Sequence, residues 1–557
     1  MRIKLFILIS CFVISIRADF TDTRTIEELL WEDPAVLINR QGLAQQDLSI
    51  RGSSYTGSGL SINGLNLKVP YSAHFNSELP LPGNLLSNPA AQSGLGNASG
   101  HLIGTAAFTT IPRTPSSQFS AGIGTEEHYQ ASFFGTSENV GGFLDWEKAR
   151  NIDYEANDFE RFSGSALVQF YQNDWMFDIM TAGQSKEFGA QGYYGIPSTV
   201  YAEERTDDSL IFFGATKGDL DDYFLRASAA MREFDDEYVI PTSLFYNQVL
   251  SRFGSAAIEA RTMEIQHIAL NVRGDLEHER VSGSLGNHDR TKGSLLLMPE
   301  VRFEQITLKA GLNSVFQTSE SAEWLPVAEI DWFATDNSSI YASYTETVQQ
   351  PDYQTLYYTD PFRSGNSSLQ QQASQNSELG FRQFLSGSLD WRAAAFYRRV
   401  ENASDWTQTA AGASWIATDL GTIDVTGLDS SINYRPSDEL NLQAYYQWTN
   451  KDEYTIYAGL YELDFPEHLL TFSGDWRFTR EFLLFAAQTL RYQTANNART
   501  SSDFGAEASL GLQYFPRFAN NVRLSFLVDN LWGTNFQAIP GLKPRPTSIY
   551  SGITVAW

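Results

Sequence analysis

The sequence predicts an all-β transmembrane barrel whose interior holds a short N-terminal α+β domain. Three observations carry that expectation. Polar and apolar residues alternate in many separated runs of roughly ten residues, the pattern of strands with one face on lipid and the other on water. In Leu440 to Trp448, for example, Leu440, Leu442, Ala444, Tyr446 and Trp448 share one face, and Asn441, Gln443 and Gln447 the other. Aromatic residues make up 13% of the 557 residues, and they collect near strand ends such as Ile340 to Tyr344, where amphipathic rings favour a membrane interface. Mean hydropathy is -0.28, and the only long apolar run lies at the extreme N-terminus. A soluble sandwich would explain any one alternating strand. The ensemble favours a closed barrel, because closure removes the unpaired edges that hydrocarbon does not tolerate.

The N-terminus fits export. Met1-Arg2-Ile3-Lys4 carries two positive charges, Leu5 to Ile16 is apolar and Ala18 is a small residue before a cut, so residues 1–18 read as a signal peptide, although Ile16 is a poor residue for such a site. Leu8-Ile9-Ser10-Cys11 also has the form of a lipoprotein acylation site, but the apolar run continues past it. Cys11 is the one cysteine of the chain. A mature chain cut after Ala18 therefore has no disulfide, no thiol chemistry and no cysteine-based metal site.

Thr25-Ile26-Glu27-Glu28 forms a capping box for a short helix through Leu30 and Trp31, with hydroxyl and carboxylate satisfying free backbone N–H groups. Pro34 ends it. Val36-Leu37-Ile38, a turn near Gln41-Gly42, a strand over 48–52 and a second over 59–64 follow. From Asp47 to Gly104 the chain is punctuated by Gly, Asn and Pro, with no helix long enough to cover it. Such a segment cannot bury enough apolar surface to stand alone, so it belongs inside something larger.

At these residues the chain resembles the plug domain of TonB-dependent outer-membrane receptors, which has a helix, a Pro, an apolar turn, a strand ending in I-R-G and a second strand with D-G. Here those are Ile50-Arg51-Gly52 and Asn63-Gly64. Pro89 to Gly104 loosely follows the family's Gly-rich signature, whose glycines suit tight turns against a wall. Further on, Pro351 to Tyr358, Gly365 to Leu369 and Ser374 to Gly380 resemble the family's P-x-x-x-x-L-Y, G-N-P-x-L and S-x-x-x-E-x-G segments. Asp529-Asn530-Leu531-Trp532, Gly541 and Pro544-Arg545 resemble its closing segment. Tyr550 to Trp557 has the Gly and terminal aromatic by which barrel-assembly machinery recognises clients. The resemblance implies a signal peptide at 1–18, a plug at 19–113 and a barrel at 114–557, whose length supplies about 22 antiparallel strands at roughly 20 residues per strand and connection.

The function so implied is uptake of a scarce, bulky ligand, powered by the TonB-ExbB-ExbD complex pulling on the plug. The ligand would bind where plug apices and outer loops converge into an aromatic-lined concavity. Residues 185–194, 203–206 and 285–290 resemble segments of cobalamin-receptor-like members, which points to a corrinoid; an iron-siderophore is the alternative. Arg51 and Gly52 are the expected plug-coupling residues, with a barrel carboxylate needed for a buried Arg51. Phe20 and Thr21 lie in the candidate TonB-box segment, which has little room before the capping box. Asn84 to Pro89 stands where the family has E-V-L-R-G-P, without its acid and Arg. With a short plug besides, a passive channel or surface-binding protein that has lost TonB coupling is the second reading.

Net charge is -27. That removes nucleic acid as a partner, since phosphate binding needs a basic footprint. Acidic runs such as 218–222 and 234–238 read as loops, and Asp235, Asp236 and Glu237 as a candidate Ca²⁺ site built from oxygen ligands. No cofactor is required by the sequence. An outer-membrane enzyme is disfavoured: His288-Asp289 is the only adjacent His-Asp pair and no nucleophile stands in a recognisable context. His468, in Phe465-Pro466-Glu467-His468, resembles part of a periplasmic turn of the receptor family.

Overall fold

A computed structural model describes residues 26–30, 33–111, 115–150, 152–154, 156–219, 222–318, 320–386, 388–452 and 454–557. The signal-peptide reading, the capping residue Thr25 and the coupling candidates Phe20 and Thr21 lie outside them. Twenty-two antiparallel wall strands run from Ser116–Gly124 to Ser548–Ala556. The last pairs with the first, Tyr550 opposite Gly124 and Ala556 opposite Gln118, so the sheet closes without an edge. Two further two-residue strands, Arg363–Ser364 and Ala458–Gly459, attach to the rim.

The alternation read from sequence is the alternation of the wall. In the strand Glu203–Gly218, Arg205, Asp207, Ser209, Ile211 and Phe213 face out, while Thr206, Asp208, Leu210 and Phe212 are buried inward. Connections on the side of the chain ends are short, such as 173–174 and 336–337, whereas the other side carries 190–202, 350–371, 452–465 and 530–547. In such barrels short turns face the periplasm and long loops the exterior. Three expectations need correction. Residues 234–238 belong to the strand Phe224–Ile240, not to a loop. Tyr341 turns into the lumen, where its hydroxyl donates to Glu378, because it shares the inward parity of Ser339 and Ser343. His468 sits at the exterior end of the strand Pro466–Trp476 and bonds the Tyr446 hydroxyl at 2.9 Å, so it is not in a periplasmic turn.

The plug fills the lumen. After the short helix Ile26–Leu29, β1 (Val36–Gln41) and β2 (Gln45–Ile50) form an antiparallel hairpin. β3 (Ser58–Ile62), β4 (Leu65–Leu67), β5 (Ala90–Gln92) and β6 (Gly104–Phe108) form a second sheet in the order β4-β3-β6-β5, with β3 and β6 parallel. Its core, Leu60, Ile62, Leu65, Leu67 and Phe108, is continuous with inward wall residues Phe134, Phe143, Leu167, Met180, Leu210 and Phe212. A segment too small for its own core thus borrows half of one from the wall, which explains how so Gly-rich a stretch is ordered. Close approach constrains the glycines. A Cβ on Gly59 would lie 2.1 Å from Nε2 of His101, and one on Gly104 would lie 2.9 Å from Cγ2 of Ile50.

Candidate functional site: plug latches and outer mouth

β2 ends in a turn with two successive left-handed residues, Arg51 (φ 51°) and Gly52 (φ 69°), closed by the Ser53 N–H donating to the Ile50 carbonyl at 3.1 Å. The second position suits glycine, since the conformation strains other residues and a Cβ there would sit 3.3 Å from Cγ2 of Thr449. The turn aims Arg51 into the wall. Its Nη1 donates to Glu378 at 2.5 Å and its Nε to Asp429 at 2.6 Å, and the guanidinium lies 4.8 Å from the centre of the Phe396 ring. Burial works against the charge on Arg51, but Asp429 and Glu378 outweigh it and hold the guanidinium well above its ordinary value. The expected barrel carboxylate is therefore present twice.

Elsewhere around the ring the polarity reverses. Lys186, on the wall strand Trp175–Gly189, donates to Glu78 of the plug and to the Ala44 carbonyl. Arg232 is held by Asp208 at 2.9 Å and reaches the plug carbonyls of Phe75 and Glu78 at 3.1 and 2.5 Å. Glu78 thus supplies an acid that residues 84–89 lack. Between the two regions Lys68 bridges Glu277 at 2.8 Å and Glu279 at 2.6 Å. Burial opposes its charge, yet the two glutamates prevail and hold the ammonium up at about 12.

A main-chain clamp joins plug and mouth. The N–H groups of Tyr353 and Gln354 donate to the Pro70 and Tyr71 carbonyls at 3.2 and 2.8 Å, and Ala73 N–H donates to Asp352 at 3.2 Å. Asp352 also caps the helix Tyr353–Tyr357 through the Thr355 N–H at 2.7 Å. Segment 351–358, singled out by sequence, is therefore the root of the longest outer loop and is pinned to the plug. Above it the outer loops converge on the plug apex. Tyr194 N–H donates to Gln41 Oε1 at 2.9 Å, and Trp415 Nε1 donates to the Gly195 carbonyl at 2.8 Å. His74 stacks on Tyr55 at 3.7 Å and meets the edge of Tyr461 at 5.2 Å. Arg363, paired with Asp360 at 2.7 Å, lies 4.6 Å from the ring centre of Tyr358, and the rings of Tyr238 and Tyr194 are 5.4 and 5.5 Å away. The aromatic mouth expected from sequence is present, but Tyr193, Tyr194, Trp406 and Trp415 are buried against one another and the plug, so the mouth is closed.

The proposed metal trio does not converge. Neighbouring residues on a strand point to opposite faces, so Asp236 is buried inward while Asp235 and Glu237 face out. Among the described residues, no three His, Cys, Asp or Glu side chains are placed to hold a metal ion. His288 stacks face to face on Tyr357 at 4.0 Å and bonds the Leu285 carbonyl at 2.8 Å, a packing role. Lys186 and Arg232, on alternating wall strands, and Lys68 and Arg363, outside them, escaped sequence reading, because an isolated basic residue has no local signature. Glu378 had one: it is the acid of the Ser374-to-Gly380 segment.

Residues 93–531 match the family described as TonB dependent receptor-like, beta-barrel. No curated protein sequence matches significantly. Among solved structures, a mutant of the ferric enterobactin receptor PfeA from Pseudomonas aeruginosa superposes with a TM-score of 0.75 at 13% identity, covering 97% of this chain and 98% of that one. The FrpB iron transporter from Neisseria meningitidis gives 0.73 at 14% identity, with 96% and 97% covered. These likenesses establish a shared fold.

Proposed function

From the premise that the chain belongs to the TonB-dependent receptor family of the bacterial outer membrane, we propose that it captures a scarce, bulky ligand at the closed mouth and admits it to the periplasm when the TonB-ExbB-ExbD complex pulls on the plug. Receptors of this family bind small ligands and work with TonB energy coupling. In this reading residues 19–113 are the plug and 114–557 the barrel, with Phe20 and Thr21 in the segment that TonB grips.

The observation that carries the proposal is the doubly held plug. Ion pairs of opposite polarity fasten it to distant parts of the wall, and the loops roof its apex. A lumen filled in this way does not leak, so passage requires the plug to move, which calls for external work. The ligand classes we propose are a corrinoid, favoured by the resemblance of residues 185–194, 203–206 and 285–290, or an iron-siderophore, in keeping with the iron named for FrpB and the ferric enterobactin named for PfeA.

The test has two arms. Tryptophan quenching of purified protein against cobalamin, cobinamide, ferric siderophores and haem identifies the ligand, and uptake of that ligand is then compared in cells with and without TonB. Uptake should vanish without TonB and on deletion of residues 19–24. Uptake that persists in both cases makes the protein a passive channel.

A further inference from the structure

A continuous run of rings lines the closed mouth. Tyr461 meets the edge of Tyr55 at 4.7 Å, Tyr55 stacks on His74, His74 lies 5.0 Å from Tyr194, and Tyr194 lies 6.2 Å from Tyr238. Of these phenols, that of Tyr194 donates to Glu204 at 2.8 Å. The hydroxyls of Tyr55, Tyr238 and Tyr461 are buried without a hydrogen-bond partner, and Tyr55 and Tyr238 are 3% and 2% exposed. A buried donor without an acceptor is costly, and native interiors leave few of them. Burial and the nearby carboxylates of Asp352 and Asp47 hold the Tyr55 phenol well above its ordinary value, so it keeps its proton and stays a donor. The cations beside the rings are already matched: Lys186 by Glu78, Arg232 by Asp208 and Arg363 by Asp360. Carboxylates remain in excess. Asp352 accepts from the N–H groups of Ala73 and Thr355, Glu204 and Asp236 are hydrogen-bonded to each other, and none of the three forms an ion pair among the described residues. For Asp47 the basic group at hand is His74, at 2.6 Å.

We propose that the Tyr55, Tyr238 and Tyr461 hydroxyls recognise an uncharged ligand rich in carbonyl or hydroxyl oxygens, and that the mouth rejects anions. The inference rests on the receptor reading above and narrows its ligand. Phenolic O–H groups donate to such oxygens, while the ring faces pack on the apolar body between them. An anionic ligand would have to strip Arg363 from Asp360, against the field of a chain whose net charge is -27. The surplus carboxylates beside it add repulsion. A corrinoid, with amide carbonyls around its rim, meets these demands, and so does an uncharged iron chelate. A ferric tris-catecholate, which is trianionic, does not, and neither does haem with its propionates. Tyr55 lies on the plug, Tyr461 in the outer loop 452–465 and Tyr238 on the wall strand Phe224–Ile240. One ligand touching all three, once the loops lift, therefore joins plug, loop and wall.

The test uses purified full-length protein and tryptophan quenching at low and high salt, with cobalamin, ferrichrome (a neutral ferric trihydroxamate), ferric enterobactin and haem as probes. Cobalamin or ferrichrome should bind saturably and about tenfold or more tighter than either anion, and the gap should narrow as salt screens the repulsion. Tyr55→Phe and Tyr461→Phe should each lower the affinity for the neutral ligand about fivefold, the loss of one hydrogen bond. Neither should lower the melting temperature of the free protein, because neither hydroxyl has a partner to lose in the closed mouth. Equal or tighter binding of ferric enterobactin or haem overturns the proposal and leaves the receptor reading standing. Unchanged affinity in both Phe variants, or a loss of affinity matched by a loss of stability, overturns the role of the hydroxyls. Binding of no neutral probe overturns the proposal as well, and it reaches the receptor reading itself only if uptake in cells also proves independent of TonB.

Discussion

The plug meets the wall through two regions built with opposite polarity. Near the strands Gln372–Ser386 and Trp415–Ser437, the cation belongs to the plug and the carboxylates to the wall: Arg51 against Glu378 and Asp429. Near Trp175–Gly189 and Phe224–Ile240, the cations belong to the wall and the plug offers Glu78 and main-chain carbonyls. One cation serves two carboxylates in the first region, so its loss leaves two like charges facing each other. In the second, each wall cation has its own acid, so a deletion strands a single charge. The same kind of bond is therefore unequally sensitive on the two sides.

The largest expected effect is at Arg51. Arg51→Met should weaken plug retention by about 3–5 kcal/mol or more, the cost of breaking a buried ion pair from one side. The check is the urea concentration at which barrels in planar bilayers begin to conduct. Adding Glu378→Gln and Asp429→Asn should restore much of the loss, and failure of that rescue would mean that Arg51 acts through packing on Phe396 instead. Lys186→Met should cost less, and Glu78→Gln alone should rescue it; needing a second wall substitution would erase the distinction between the regions. Lys68→Met should have a smaller effect again. Arg290 still pairs with Glu279 when Lys68 is lost, and Glu277 keeps the charge of nearby Lys292. A urea threshold for conduction that falls as far as in Arg51→Met would refute that ranking.

The smallest effect at neutral pH is at His101, because it emerges only on acidification. Burial pushes the His101 imidazole down to about 3, with nearby Lys68 lowering it further. The folded state then holds fewer protons at this group than the unfolded one. Its contribution is complete above the ordinary value of 6.5 and is lost as pH falls from there towards 3. His101→Gln should flatten that part of the stability curve, measured by thermal melts from pH 7 to 4. An unchanged slope would place acid sensitivity elsewhere.

Much of the architecture was legible because a strand buried on one side repeats every two residues, and the repeat survives in segments such as Leu440–Lys451. The Ile50-Arg51-Gly52 motif was legible too, but it read as strand through Gly52, whereas the strand ends at Ile50 and Arg51 and Gly52 reverse the chain. Parity was harder to read. Tyr341 looked like an interface aromatic and is a lumen hydroxyl, and Asp235 to Glu237 looked like one cluster but occupies both faces of a strand.

Pattern, composition and the order of short motifs by themselves determined a closed barrel with an enclosed N-terminal domain, because alternation and turn chemistry are properties of neighbours along the chain. Only the tertiary structure decided which wall residues hold the plug and that Glu78 of the plug meets Lys186 of the wall. Those partners meet across strands or across the lumen, and Arg51 and Glu378, 327 residues apart, are neighbours only once the ring has closed.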